Sequence, residues 1–283
     1  MTRWPNIQRF RVAAIVYGFA VVVLLFLVLP VLIVIPMSFS DTNYLTFPPK
    51  GFTWRWYEEI FTESTWTKPA WLSIRIAVLT AAFSTLIGTA AAFAIVRGRF
   101  RGKSVVRLFI VSPIIAPNIV VAIAVFFAFV QLRLIGTTLG FVLAHSILCV
   151  PFVVLTVGAA LERFDTDLEL AALGLGASRL AVFRYVTLPI ILPGVAGGAA
   201  FSFLISFDEP VISYFVSSVR QATLPRVVFQ NIETSVEPNV AAVSTVLLVV
   251  SASIVVLGMV LRRDAGSLFP GPAKQTDPKQ RVK

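Results

Sequence analysis

The sequence predicts an all-α integral membrane protein with about six transmembrane helices. Three observations support this. The 283 residues are 57% hydrophobic and 13% charged, about half the charge of an ordinary soluble domain. The mean hydropathy is +0.88, and the apolar residues fall in blocks long enough to cross about 30 Å of hydrocarbon at 1.5 Å per helical residue. Lysine and arginine, which give a formal net charge of +10, lie almost entirely between those blocks. In a soluble protein this charge would point to nucleic acid. Here the bias of basic residues toward the cytoplasmic face of a membrane explains it, so no nucleic-acid partner is expected and membrane lipid is.

The first block, Val12–Met37, follows Arg3, Arg9 and Arg11. Its basic start is like that of a signal peptide, but the apolar stretch is too long and no small-x-small cleavage site follows, so it reads as an uncleaved helix. Further blocks cover Ala70–Val96, Val105–Leu132, Gly136–Leu161, Ile190–Ser217 and Val240–Leu261. Six spans put both termini on one side. That side carries seventeen lysines and arginines against six on the other, which predicts cytoplasmic termini. The expected division is a cytoplasmic N-terminus over 1–11, a transmembrane domain over 12–261 and a basic tail over 262–283. The tail is rich in Pro, Lys and Gln, and little fixed structure is expected there. Between the first two spans lie Trp54, Trp56, Tyr57 and Trp66, with Trp71 opening the second span. These rings suit the headgroup zone, where they sit half buried with a wet polar edge. Cys149 is the only cysteine, which excludes an intrachain disulfide.

The loop after the fourth span, Leu161–Pro193, is too polar to face lipid and too patterned for a passive linker. Thr166 followed by Glu169 has the spacing of a capping box, in which each side chain satisfies a free backbone N–H. Asp165, Asp167 and Glu169 suit the positive end of the same helix. Leu168, Ala171 and Ala172 give it a small apolar face. Gly174 and Gly176 predict its stop. Ser178 is placed to cap a second short helix bearing Leu180, Val182, Phe183 and Val186 and ending before Pro189. Such a helix either plugs a groove on another protein or merely connects two spans.

The stretch Leu170–Pro189 resembles the characteristic cytoplasmic loop of bacterial ABC importer permeases, whose pattern is Glu-Ala-Ala, three residues, Gly, nine residues, Ile-x-Leu-Pro. Ala171, Ala172, Gly176, Leu188 and Pro189 fall in register, and Val186 stands for isoleucine. Leu170 occupies the glutamate position, with Glu169 adjacent. The resemblance extends to Ile87–Arg97, to Ser112–Val120 and to Ser202–Ser218 with the following ATLPRVVF, which is similar to the second permease of spermidine/putrescine importers. It implies the type I importer permease fold, with a coupling helix within 161–189. It implies partners: an ATPase dimer, a second related permease and an extracytoplasmic binding protein. It implies import of a polyamine or related cationic solute by alternating access, with ATP and magnesium bound by the ATPase and no cofactor on this chain. Glu169, Ala171, Ala172, Gly176 and Ser178 are the expected ATPase-coupling residues.

Arg75, Asp208 and Glu209 are ionisable groups in or near the hydrocarbon, where each needs a partner or water. One reading pairs Arg75 with an acid; the other puts Asp208 or Glu209 on the pathway, facing a cationic substrate. Pro210 predicts a break in the fifth span beside those acids. Pro113, Pro117, Pro151 and Pro193 are placed to kink helices, and Gly194, Gly197 and Gly198 to admit close helix contact. His145, the only histidine, reads as a hydrogen-bonded packing residue. The sequence has no G-x-x-x-x-G-K-[ST] phosphate loop, no H-E-x-x-H and no Cys/His cluster. Catalysis by this chain is therefore not expected, and no metal site is. The alternatives to an ATP-driven permease are a secondary carrier coupled to an ion gradient, with Asp208 and Glu209 as its coupling site, and an intramembrane enzyme, for which the spans hold no reactive pair.

Overall fold

The computed structural model describes residues 6–234 and 237–268, and all regular structure among them is helical. The chain divides into two compact units, one comprising Met1–Thr67 with Val228–Val249 and the other Lys68–Val227 with Val250–Lys283. Among the described residues five helices are long and apolar enough to cross a membrane, and a bent pair brings the number to six when the pair is counted as one span.

In the smaller unit, α1 (Asn6–Met37) is apolar all round over Ala13–Met37, and none of its most apolar stretch is buried. A helix without a polar face is suited to lipid or to a neighbouring helix. The loop that follows is tied to α2 (Arg55–Thr62) by polar contacts. Ser38 Oγ donates to the Ile35 carbonyl at 2.6 Å and shares a 2.6 Å hydrogen bond with the Tyr57 hydroxyl. The Trp56 indole N–H donates to the Ser40 carbonyl at 2.7 Å. Trp56 and Trp66 are buried, whereas Trp54 and Trp71 are exposed. Two of the expected interfacial tryptophans thus serve as packing groups, because the Trp56 ring finds its polar partner on the backbone and not in water.

The larger unit carries most of α3 (Ser64–Arg97), then α4 (Lys103–Ile115), α5 (Asn118–Gln131), α6 (Thr138–Glu162), α7 (Asp167–Gly174) and α8 (Arg179–Val182). A π-helical turn (Phe183–Thr187), α9 (Leu188–Phe207) and α10 (Val211–Val216) complete it. The residues of α11 (Leu224–Thr234) and α12 (Pro238–Leu268), like those of α3, are divided between the two units. The core lies along α6. Near its start Phe141, Val142 and Leu148 pack with Ile76, Ala122, Phe129, Ile212 and Val216. Near its end Val153, Val157 and Leu161 pack with Ala92, Phe164 and Ile191. Helix approach is close: a Cβ on Gly88 of α3 would lie 2.6 Å from Val153 Cβ, and one on Gly198 of α9 would lie 3.1 Å from Val153 Cα. The α9 glycine does what its small size predicts.

The structure bears out the breaks expected at Pro117 and beside Pro210, and it moves several expected boundaries. The third span is not one helix: α4 and α5 meet at 107°. Pro117 lacks an N–H and forces Ala116 into an extended conformation, which ends α4. The fifth span ends at Phe207, and residues Asp208–Pro210 separate it from α10. The short helix after Ser178 does not stop before Pro189 but runs through the π turn into α9. A proline at the second position of α9 cannot donate to the preceding turn and crowds the carbonyl behind it, and the wider π turn accommodates both. Gly174 is helical; the stop falls at Gly176, whose φ of +88° is the left-handed conformation glycine adopts freely. At the C-terminus α12 continues to Leu268, so the first part of the basic tail is helical, and residues 269–283 lie outside the described residues.

Candidate functional site

Two places gather the expected functional residues. The first is the segment joining α6 to α9. Thr166 makes no side-chain cap; the α7 start is served by Asp165, whose Oδ1 accepts from the Asp167 N–H at 3.0 Å. Glu169 is drawn off the cap altogether. Arg97 Nη1, at the last residue of α3, donates to Glu169 Oε1 and Oε2 at 2.7 Å each, and the Thr187 hydroxyl donates to Oε1. The capping box fails because a guanidinium offers the carboxylate charge-assisted bonds that a lone backbone N–H does not match. Arg97 is itself held between rings, its Cζ 5.4 Å from the Phe93 centroid and 5.0 Å from that of Phe164. Partial burial pushes the Glu169 carboxyl up, but the Arg97 and Thr187 hydrogen bonds and the Arg97 charge outweigh this and hold it below the usual glutamate range.

Much of α7 and the turn after it points outward. Ala171 and Gly176 are exposed and Ala172 is half-buried. Ser178 caps α8 as expected, its Oγ accepting from the Ala181 N–H at 3.3 Å. No residue of α7 is buried. Leu170, Leu175 and Leu180 are 63%, 90% and 75% exposed, a run of apolar surface in a loop too polar for lipid. Apolar groups left out of both a core and a bilayer mark a protein contact.

The second place is the α9–α10 break. Among the described residues no ion pair joins Arg75 to Asp208 or Glu209, and Arg75 is exposed. Asp208 is exposed. Glu209 is 6% exposed, and its Oε1 accepts from the Val211 N–H at 2.8 Å and the Ile212 N–H at 2.9 Å. It caps α10, satisfying the backbone donors that the proline break frees. The pairing expected between Arg75 and an acid is therefore replaced, for Glu209, by a pairing with the backbone. At the same break, His145 of α6 joins the two sides, with Nδ1 2.8 Å from Ser206 Oγ and Nε2 3.1 Å from Ser213 Oγ. It is buried and hydrogen-bonded on both nitrogens, as its sequence setting predicts. Among the described residues no group of His, Cys, Asp and Glu is arranged to hold a metal ion.

Sequence reasoning missed Arg97 and Thr187. Arg97 counted only toward the charge bias of its loop. Its position as the first cation after an apolar helix was visible, but its partner lies 72 residues away.

Comparison with known proteins agrees with this architecture. The sequence pattern of the family described as "binding-protein-dependent transport system inner membrane component" matches residues 84–263. The spermidine/putrescine transport system permease protein PotC of Haemophilus influenzae is 37% identical over 87% of this chain and 95% of its own. The putrescine transport system permease protein PotI of Escherichia coli is 33% identical over 84% of this chain and 85% of its own. Among solved structures, a bacterial ABC transporter that imports the acidic polysaccharide alginate superimposes with a TM-score of 0.67 over 93% of this chain and 99% of its own, at 15% identity. The inward-facing methionine transporter MetNI gives 0.59 over 70% and 95%, at 19% identity. The fold is shared with both. These relatives are named as transport subunits, not enzymes, and the chain belongs to the family of binding-protein-dependent transport system inner membrane components, as a multi-pass permease subunit of an ABC importer.

Proposed function

We propose that this permease imports a polyamine or a related cationic amine into the cytoplasm, by alternating access driven by ATP bound with magnesium on a separate ATPase dimer. The exposed leucines of the α7–α8 segment carry the docking part of this reading. A helix of eight residues with no buried side chain of its own gains its apolar contacts by sitting in a groove on another protein. The segment faces the cytoplasm, as do both termini, which follows the distribution of lysine and arginine. The substrate class rests on the polyamine permeases to which the chain is 33–37% identical. A second related permease completes the pathway, and an extracytoplasmic binding protein delivers the solute. Glu209 is committed to capping α10, so Asp208, exposed at the break, is the acid available to a cation in transit.

The test is purification of the tagged chain from its native membrane in mild detergent, followed by reconstitution of what remains bound. ATP-dependent uptake of labelled spermidine or putrescine, competed by the other polyamine and indifferent to collapse of the ion gradient, is the expected result. A complex that hydrolyses ATP and imports a neutral or anionic solute instead would sink the substrate assignment alone. A chain that purifies without an ATPase would sink the docking assignment.

A further inference from the structure

The Arg97–Glu169–Thr187 contact has a role that the loop pattern alone does not assign. Helix α7 has no buried residue, and its packing neighbours are α8 and the π turn, both from its own loop. Among the described residues, the side-chain bonds that carry α7 out of its immediate surroundings converge on one group, the Glu169 carboxylate. On one side it meets the end of α3 through Arg97. On the other it meets the π turn, and so the start of α9, through Thr187. Beyond its packing on α8 and the π turn, a displacement of α7 reaches α3 through these bonds.

Arg97 is suited to pass on such a displacement. Phe93 and Phe164 flank its guanidinium and set its direction. Its side chain is 29% exposed and that of Glu169 19%, so water competes weakly for the pair. Both carboxylate oxygens sit on Nη1, while Nη2 is buried with no hydrogen-bond partner. A guanidinium also accepts a carboxylate in a fork across two nitrogens. The unfilled Nη2 therefore gives Glu169 a second seat on the same arginine, reached by a short slide that never breaks the ion pair. A contact with two seats suits a joint that must hold in two states of a cycle.

We propose that Glu169 is not an ATPase contact but an internal strut, with Arg97 and Thr187 as the positioning residues that pass the movement of the docking helix to α3 and α9. This rests on the docking reading above. The loop's leucines hold the ATPase, and the clamp converts its movement into movement of the spans.

The test uses the whole reconstituted complex with its binding protein. Arg97→Gln, Glu169→Gln, the double variant, the charge-swapped pair Arg97→Glu with Glu169→Arg, and Thr187→Val are compared for ATPase retained on purification and for solute imported per ATP hydrolysed. Arg97→Gln and Glu169→Gln should keep the ATPase bound while import per ATP falls roughly tenfold, the scale of one lost charge-assisted bond. The double variant should be no worse than either single one. The swapped pair should recover part of the loss, and Thr187→Val should show a smaller loss. Should either single variant fail to insert, the swapped pair and Thr187→Val still decide the matter. Loss of the ATPase from Glu169→Gln with full coupling in Arg97→Gln would make Glu169 a docking residue and overturn the strut. Unchanged import per ATP across the set would also overturn it. Failure of the wild-type chain to hold an ATPase is a different result, striking the docking reading itself and the strut with it.

Discussion

Replacing Glu209 by alanine and by glutamine separates a helix cap from a pathway charge. Its Oε1 accepts two backbone N–H bonds at 2.8 and 2.9 Å, from Val211 and Ile212, in a setting that leaves the residue 6% exposed. Alanine removes the acceptor and leaves two buried donors unpaired. Each such donor costs about 1–3 kcal/mol, so the loss is about 2–6 kcal/mol. Glutamine keeps a carbonyl oxygen in reach of both donors and gives up only the charge assistance, a loss of about 1 kcal/mol. The assay is thermal inactivation of the purified complex in detergent, read by monodispersity after heating, alongside uptake in vesicles at matched expression. Alanine should lower the midpoint sharply, and uptake should fall with it; glutamine should leave both close to wild type. Wild-type stability for glutamine with abolished uptake would refute the reasoning, since the negative charge would then be needed for transport and not for folding.

The remaining expectations concern the docking loop and the helix contacts. Gly176→Ala meets no atom within 4 Å but must hold a φ of +88°, so it should cost about 1–2 kcal/mol in loop stability and leave insertion intact. Gly176→Trp adds bulk on the same exposed side, and ATPase retained on purification should fall well below the alanine level. Gly88→Ala drives a Cβ to 2.6 Å from Val153 Cβ and 3.3 Å from the Val150 carbonyl; overpacking of this kind costs about 1–3 kcal/mol and should appear as a lowered inactivation midpoint. The Glu169 carboxyl is held below its ordinary value of 4.5, so the clamp contributes its full stability above that pH and loses it as pH falls through the depressed value. Coupling measured from pH 6 to 8 should therefore be flat with respect to this group, and a titration of import per ATP inside that window would count against an ionised Glu169.

Much of this was legible in the sequence because the bilayer writes its demands in long words. Each block needs about 20 apolar residues, and each of the expected spans has a helical counterpart. The loop cap at Ser178, the stop at Gly176 and the hydrogen-bonded His145 were readable because they depend on residues nearby or on a single buried polar group. What escaped notice depends on partners far apart. Glu169 had a local partner available in the capping box and was taken by Arg97 instead, a competition that spacing along one helix cannot express. Pro189 read as a stop by the ordinary rule, and the π turn that absorbs it is a solution that emerges only when α8 and α9 share one axis. Glu209 read as an intramembrane charge that either pairs with Arg75 or faces the pathway, and its partners are instead the backbone N–H groups after Pro210.

The uninterrupted run from Arg179 to Phe207 has a mechanical consequence. Because the π turn admits Pro189 without a stop, these 29 residues form one continuous helix, about 43 Å long at 1.5 Å per residue. One end lies at the exposed docking surface and the other abuts Asp208. Pivoting such a helix by roughly 5° about its docked end sweeps the far end through about 4 Å, given that length. That is comparable to the width of a small solute's path. A break at Pro189 would have let the two ends turn independently, whereas the unbroken helix ties the docking surface to the residues beside Asp208.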